Sequence, residues 1–265
     1  MGRLLQVAEA LDRLGLRGML AKVATPIYSG HRFGVDRDGH WVNQQRQATI
    51  VSPQLHITPY DKVHNWVLEN WCWGYVPREG DTVIDVGAGI GEETVVFSKL
   101  VGRTGRVLSI EAHPDTFACL QETVRQSRLG NVQLIQCAIA EADGVTSIGT
   151  GDCHVANSIL GGGEISVPAR SLDSLSNDLR LGEIAFLKMN IEGAERLAVK
   201  GMSEVFSQIS ALCISCHDFL ADLGQSDDFR TKLEVRSALE EVGYRISQRP
   251  SHPESWVRDY IYASK

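Results

Sequence analysis

Apolar residues recur along this chain with two different periods, and the pattern changes near position 80. Over residues 4–23, Leu4, Leu5, Ala8, Leu11, Leu14 and Leu16 fall mostly three or four apart, which predicts an amphipathic helix ended by Pro26 and Gly30. Residues 31–58 alternate instead. Arg32–Val35, His40–Asn43 and Thr49–Val51 read as strands, the first two joined by the turn Asp36-Arg37-Asp38-Gly39. Lys62–Trp73 returns to a helical pattern, rich in tryptophan, and stops near Gly74. Residues 1–80 are too short and mixed for an independent domain and are expected to form an N-terminal cap of helix, hairpin and helix.

From Asp81 strands and helices alternate. Thr82–Val86, Arg106–Ile110, Val132–Gln136, Ile184–Met189 and Ser210–Cys216 read as buried strands. Glu92–Val101, Asp115–Leu129, Ala194–Lys200 and Asp228–Glu241 read as helices between or after them. Residues 143–170 carry little helical signal and read as an insertion of short strands and loop. Tyr244–Ser247 and Trp256–Tyr262 close the chain as two strands with no helix between them. Strand–helix alternation implies right-handed crossovers and an α/β, doubly wound sheet. The expectation is a mostly parallel seven-stranded sheet over 81–265 with an antiparallel C-terminal hairpin at one edge.

Composition narrows the function classes. The chain has 265 residues, with 26 Lys and Arg against 33 Asp and Glu, for a formal net charge of -7. No dense basic run marks a nucleic-acid partner. No apolar stretch approaches the ~18–20 residues of a membrane span. Charges at Arg3, Glu9, Asp12, Arg13 and Arg17 interrupt the N-terminal region where a secretory signal would be apolar, so a cytoplasmic protein is expected. Six cysteines are scattered, and the one suggestive pair, Cys213 and Cys216, sits in the apolar run ALCISC and reads as buried hydrophobe.

The densest chemical signal is Asp85-Val-Gly87-Ala-Gly89-Ile-Gly91, between a strand and a helix. Glycines there let the backbone approach a ligand, and the helix N-terminus offers N–H donors. The dinucleotide fingerprint would need glycine where Glu92 stands. Glu92 and Glu93 would repel a pyrophosphate and tolerate a zwitterionic sulfonium better. Glu111 closes the second strand, where an acid commonly holds ribose hydroxyls, and Ala112 follows it in the segment SIEAHP. Cys137-Ala138 after the third strand is placed beside an adenine ring by position.

The acid-x-Gly-x-Gly-x-Gly turn resembles motif I of class I methyltransferases. With IEAHP and with Lys188-Met-Asn190-Ile-Glu192-Gly-Ala-Glu195, the chain resembles the FkbM family over most of residues 81–217. It departs from the family hallmark K-x-D-x-E-G-A-E at Asn190, where an aspartate is usual. The resemblance implies a class I methyltransferase-like fold and S-adenosyl-L-methionine as donor. Asp85, Gly87, Gly89, Gly91, Glu92, Glu111, Ala112 and Ala138 are the expected donor-site residues. It also implies O-methylation of a small natural product or sugar, and it places a histidine at the end of the fifth strand, here His217. His217 is the expected neutral general base, with Lys188, Asn190 and Glu192 beside it. Lys188 is expected either to pair with Glu192 or Glu195 or to touch substrate. A divalent metal held by Asn190, Glu192, His217 and Asp218 is an alternative that the missing aspartate disfavours. Tryptophans of the cap, Trp41, Trp66, Trp71 and Trp73, either wall an apolar or sugar-binding pocket or simply pack. An inactive adenosyl-binding protein and an NAD(P)-dependent oxidoreductase remain competing functions. The expected partner is a small-molecule hydroxyl acceptor; the oligomeric state stays open, with a homodimer as one option.

Overall fold

The computed structural model describes residues 16–149 and 163–265. The first part of the expected N-terminal helix, Gly161, Gly162 and Cys153 lie outside the described residues. The rest of that helix is α1, Arg17–Ile27. Three short strands follow, β1 (Arg32–Val35), β2 (Trp41–Gln44) and β3 (Thr49–Ser52), paired antiparallel in that order. The Asp36–Gly39 turn forms as expected: the Asp36 carboxylate accepts the N–H groups of Asp38 and His40 at 2.9 and 2.8 Å.

The main sheet has seven strands: β4 (Thr82–Val86), β5 (Arg106–Glu111), β6 (Val132–Gln136), β10 (Ile184–Met189), β11 (Ile209–Ser215), β12 (Arg245–Ser247) and β13 (Tyr260–Ser264). Their spatial order is β12-β13-β11-β10-β4-β5-β6. β13 runs antiparallel to both β11 and β12, while β10, β11, β4, β5 and β6 pair parallel. β10 sits at the centre with all six residues buried, apolar except for Lys188, as in a strand covered on both faces.

Alternation of side chains divides the core in two. Ile84, Val86, Leu108, Leu187 and Ile214 face helices α5 (Leu172–Leu179), α6 (Glu195–Lys200) and α8 (Lys232–Glu241). Val83, Val107, Phe186, Cys213 and Tyr262 face α3 (Glu92–Val101) and the residues just beyond α2 (Tyr60–Trp66), where the chain continues as a wider π-type turn over Val67–Trp71. Trp71 stacks on Tyr260 with ring centroids 4.4 Å apart. β3 is anchored on α4 (Pro114–Gln126): the Val51 N–H donates to Thr123 Oγ1 at 2.9 Å, and Thr49 exchanges two bonds with Ser127. Two hydroxyls thereby satisfy an otherwise unpaired strand edge.

β7 (Ala138–Ile139) and, from the insertion expected over 143–170, β8 (Gly144–Ile148) and β9 (Ile165–Arg170) form a second small sheet in the order β7-β9-β8.

Several boundaries differ from expectation. The helix α5 was not anticipated, although Ser171 caps it by accepting the Ser174 N–H at 3.1 Å. The helix expected from Asp228 begins at Lys232, because Asp218 Oδ1 accepts the N–H groups of Thr231 and Lys232, both at 3.0 Å. The strand expected over Trp256–Tyr262 is instead a helical turn, α9 (Ser255–Arg258), and then β13. Asp259 at that junction accepts the Phe219 N–H at 2.7 Å and pairs with Lys232 at 2.8 Å, tying it to α7 (Asp218–Asp222).

Candidate active site

A cleft opens where β4, β5 and β10 end, on the side where ligands of open α/β sheets bind. Its space is ≈ 850 Å³ counting the open mouth, within the range of small-ligand sites. Gly87, Gly89 and Gly91 have φ of 72°, 56° and 93°, the left-handed region that favours glycine. At Gly87 a Cβ would stand 1.9 Å from the Asn190 carbonyl oxygen, so the turn closes only on glycine. The Asn190 N–H donates to the Val86 carbonyl at 3.0 Å, locking the ends of β4 and β10 together. Gly91 does not line the cleft; its missing side chain makes room for Leu120, which a Cβ would meet at 2.7 Å.

Asp85 lies beneath the turn rather than in it. Register places Lys188 and Ser109 directly beside Asp85 on the flanking strands. Lys188 Nζ stands 2.9 Å from Asp85 Oδ1 and donates to the Gly87 carbonyl at 2.8 Å. Thr94 donates to Asp85 Oδ2 at 2.7 Å. The expected pairing of Lys188 with Glu192 or Glu195 is therefore corrected. Its ammonium is buried against Asp85 on the opposite face of the sheet from α6, and it borders the cleft while holding the Gly87 carbonyl. Burial alone would lower its pKa, but the charges of Asp85 and Glu93 raise it.

Glu111 stands at the end of β5 and lines the cleft with Ala112 and Ala138. Its carboxylate accepts the N–H groups of Gly89 and His113, each at 2.9 Å. Burial pushes its pKa up, against those donors, which pull it down. Glu92 and Glu93 line the mouth, and His56 of the N-terminal segment meets Glu92 at 2.9 Å. Glu93 is half-exposed by surface, yet it is surrounded by enough protein that burial raises its pKa.

The second cluster is Glu192, His217 and Glu195. His217 Nδ1 lies 2.9 Å from Glu195 Oε1, and His217 Nε2 lies 3.4 Å from Glu192 Oε2. Glu195 is fully buried and accepts bonds from the Ile191 and Gly193 N–H groups and from Thr231 Oγ1. Burial would lower the His217 pKa, but the two carboxylates raise it to about 10. The expected neutral base is thus corrected to an imidazolium at neutral pH. Glu192 has φ of 51° and Gly193 has 93°, a bent loop of the kind found at functional sites.

A second cleft adjoins the first. It is lined by Asn190, Glu192, Ser215, His217, Phe219, Leu220, Gln225, Phe229, Trp256 and Tyr260, and it shares Asn190 and Glu192 with its neighbour. None of the four cap tryptophans lines it. Trp41 packs on Ala21, Ala24 and Phe33, Trp71 is in the core, and Trp73 lies against Tyr262. Trp66 borders a separate groove beside Glu92 and Glu93. Asp218 caps α8 and so is not gathered with Asn190, Glu192 and His217. Among the described residues, the group of acids and histidine close enough to share an ion is Asp36, Asp38 and His40 on the distant β1–β2 turn.

Phe219, Phe229 and Trp256 were not anticipated, since loops and short helices from three places in the sequence bring them together. Glu195 was legible as the last residue of its motif, but its contact with His217 was not.

The strand order, the one antiparallel strand between β11 and β12, and the glycine turn facing an acid at the end of β5 define a class I methyltransferase fold. The chain belongs to the FkbM methyltransferase family: the methyltransferase FkbM domain matches residues 85–246. Among curated proteins it is similar to a protein-L-isoaspartate O-methyltransferase of Methanococcus maripaludis, 37% identical over 57 residues, covering 22% of this chain and 27% of that protein. It is also similar to the ubiquinone/menaquinone biosynthesis C-methyltransferase UbiE of Klebsiella pneumoniae, 41% identical over 66 residues, covering 24% of this chain and 26% of that one. The matches thus span about a quarter of the length of these relatives. A crystal structure of methyltransferase FkbM from Methylobacillus flagellatus aligns with a TM-score of 0.49 and 22% identity, over 69% of this chain and 43% of that one. No helix among the described residues is long and apolar enough to cross a membrane.

Proposed function

We propose that the chain transfers a methyl group from S-adenosyl-L-methionine to a hydroxyl of a small molecule. The observation that carries this is the meeting of two clefts at Asn190 and Glu192. The first cleft suits the donor. Its glycine turn brings backbone close to a ligand, Glu111 offers a carboxylate of the kind that takes ribose hydroxyls, and Ile110, Ala112, Ala138 and Ile139 give an apolar bed for the base. When bound, the donor supplies an electrophilic methyl on a sulfonium, which acidic Glu92 and Glu93 tolerate.

The chain's own residues then have separable roles. In the second cleft the acceptor oxygen is held near Asn190. The O–CH3 bond forms as the S–CH3 bond breaks, S-adenosylhomocysteine leaves, and the hydroxyl proton passes to the Glu192 carboxylate. His217, protonated and held by Glu195, positions Glu192 instead of acting as the base. Lys188 and Asp85 hold the turn beneath the donor.

The test is calorimetry with S-adenosylhomocysteine together with transfer of labelled methyl from the donor to a panel of small alcohols and phenols. Glu111→Ala should weaken S-adenosylhomocysteine about 10–100-fold, the scale of one bond to a charged group. Unchanged affinity in that variant would remove the donor assignment, and tight binding with no methylated product would leave an adenosyl-binding protein without turnover.

A further inference from the structure

We infer that the acceptor is a ring-bearing alcohol without a negative charge, its ring held by Phe219, Phe229 and Trp256; this rests on the methyl-transfer reading above. Three half-buried or exposed aromatic side chains, Phe219, Phe229 and Trp256, line the second cleft together with Leu220. Apolar ring faces favour a flat or puckered ring over an extended polar chain. At the floor stand Asn190, Ser215 and Glu192, which can bond a hydroxyl.

The charge around this cleft is one-sided. No Lys or Arg occurs among the described residues that line it. Glu192, His217 and Glu195, with the imidazole protonated, leave one net negative charge at its floor. Glu92, Glu93 and Glu111 line the adjoining cleft, whose lone lysine is already matched by Asp85. Of the basic residues in the flanking segments, Arg196 pairs with Asp228, Arg230 with Asp222 and Asp227, and Lys232 with Asp259, while Arg258 is tied to the His252 and Pro253 carbonyls. Among the described residues the cations that line the cleft are outweighed by carboxylates, so a carboxylate or phosphate on the acceptor would enter a net negative field, and such like-charge placement is how sites reject unwanted ligands. Glu192 is then the specificity residue that discriminates by charge.

The experiment uses the full chain saturated with S-adenosylhomocysteine and three phenols of matched shape: p-ethylphenol, tyramine and p-hydroxyphenylpropionate. Calorimetry or ligand-observed NMR should show p-ethylphenol and tyramine binding, and p-hydroxyphenylpropionate at least about tenfold weaker. Trp256→Ala and Phe229→Ala should each lower p-ethylphenol affinity by about three- to tenfold, with S-adenosylhomocysteine affinity unchanged. Glu192→Gln should narrow the gap between the neutral and anionic phenols to under about threefold, a change that a structural role alone would not produce. Equal binding of the anionic phenol, no binding of any of the three, or full affinity in both aromatic variants would overturn the proposal. Failure of wild-type protein to bind S-adenosylhomocysteine would instead strike the donor reading on which it rests.

Discussion

Removing the ammonium of Lys188 tests whether it supports the donor turn or touches substrate. Lys188 and Asp85 are 1% and 0% exposed, and the ammonium contacts Asp85 at 2.9 Å and the Gly87 carbonyl at 2.8 Å. In Lys188→Met the apolar stem is kept, but Asp85 loses its counter-charge and keeps the Thr94 hydroxyl, while the Gly87 carbonyl loses its donor. Breaking a buried pair from one side costs about 3–5 kcal/mol, because the remaining charge stays desolvated. At about 2 °C per kcal/mol for a chain of this size, Tm should fall by roughly 6–10 °C. S-adenosylhomocysteine affinity should fall with it, since the turn is no longer held. The double variant Asp85→Asn, Lys188→Met leaves neither charge of this pair and should regain part of the lost stability. Thermal unfolding followed by circular dichroism, with calorimetry of S-adenosylhomocysteine, compares the wild type with both variants. A loss under about 1 kcal/mol with a selective fall in acceptor turnover would refute the supporting role and return Lys188 to substrate contact.

Two further expectations follow from the site. Because the His217 pKa is raised from 6.5 to about 10, the folded chain holds a proton that the unfolded chain releases between those values. That stabilisation is complete below pH 6.5 and is lost as pH rises toward about 10, by up to about 1.4 kcal/mol per pH unit. Urea titrations from pH 6 to 10 should show that slope in the wild type and a flatter profile in His217→Asn; identical profiles would mean the imidazole is neutral in the fold. Gly87→Ala should lower stability by at least about 2 kcal/mol, since φ is 72° and the new Cβ would stand 1.9 Å from Asn190, and a variant that melts like wild type would show that the β4–β10 closure is looser than described.

The linear chain determined a good deal by itself. Short runs such as Ile184–Met189, apolar except for Lys188 and bounded by turn residues, read as buried strands, and the Gly87–Gly91 spacing after such a strand reads as a tight turn at a sheet end. Those are local constraints on backbone sterics and burial, so they survive without tertiary information. Glu111 was legible for the same reason, as the last residue of a strand beside that turn. Partner identity was not local. Lys188 and Asp85 are over a hundred residues apart, and only the β4–β10 register makes them neighbours instead of the nearer Glu192. The protonation of His217 likewise depends on Glu192 and Glu195 closing on it from another segment, since electrostatic energy follows distance in space. The strand expected across Trp256 failed because Asp259 is drawn to Phe219 and Lys232, contacts that no periodicity records. The aromatic wall of the second cleft has the same origin. Phe219, Phe229 and Trp256 carry no shared pattern, and they meet because three separate short helical segments converge on the second cleft.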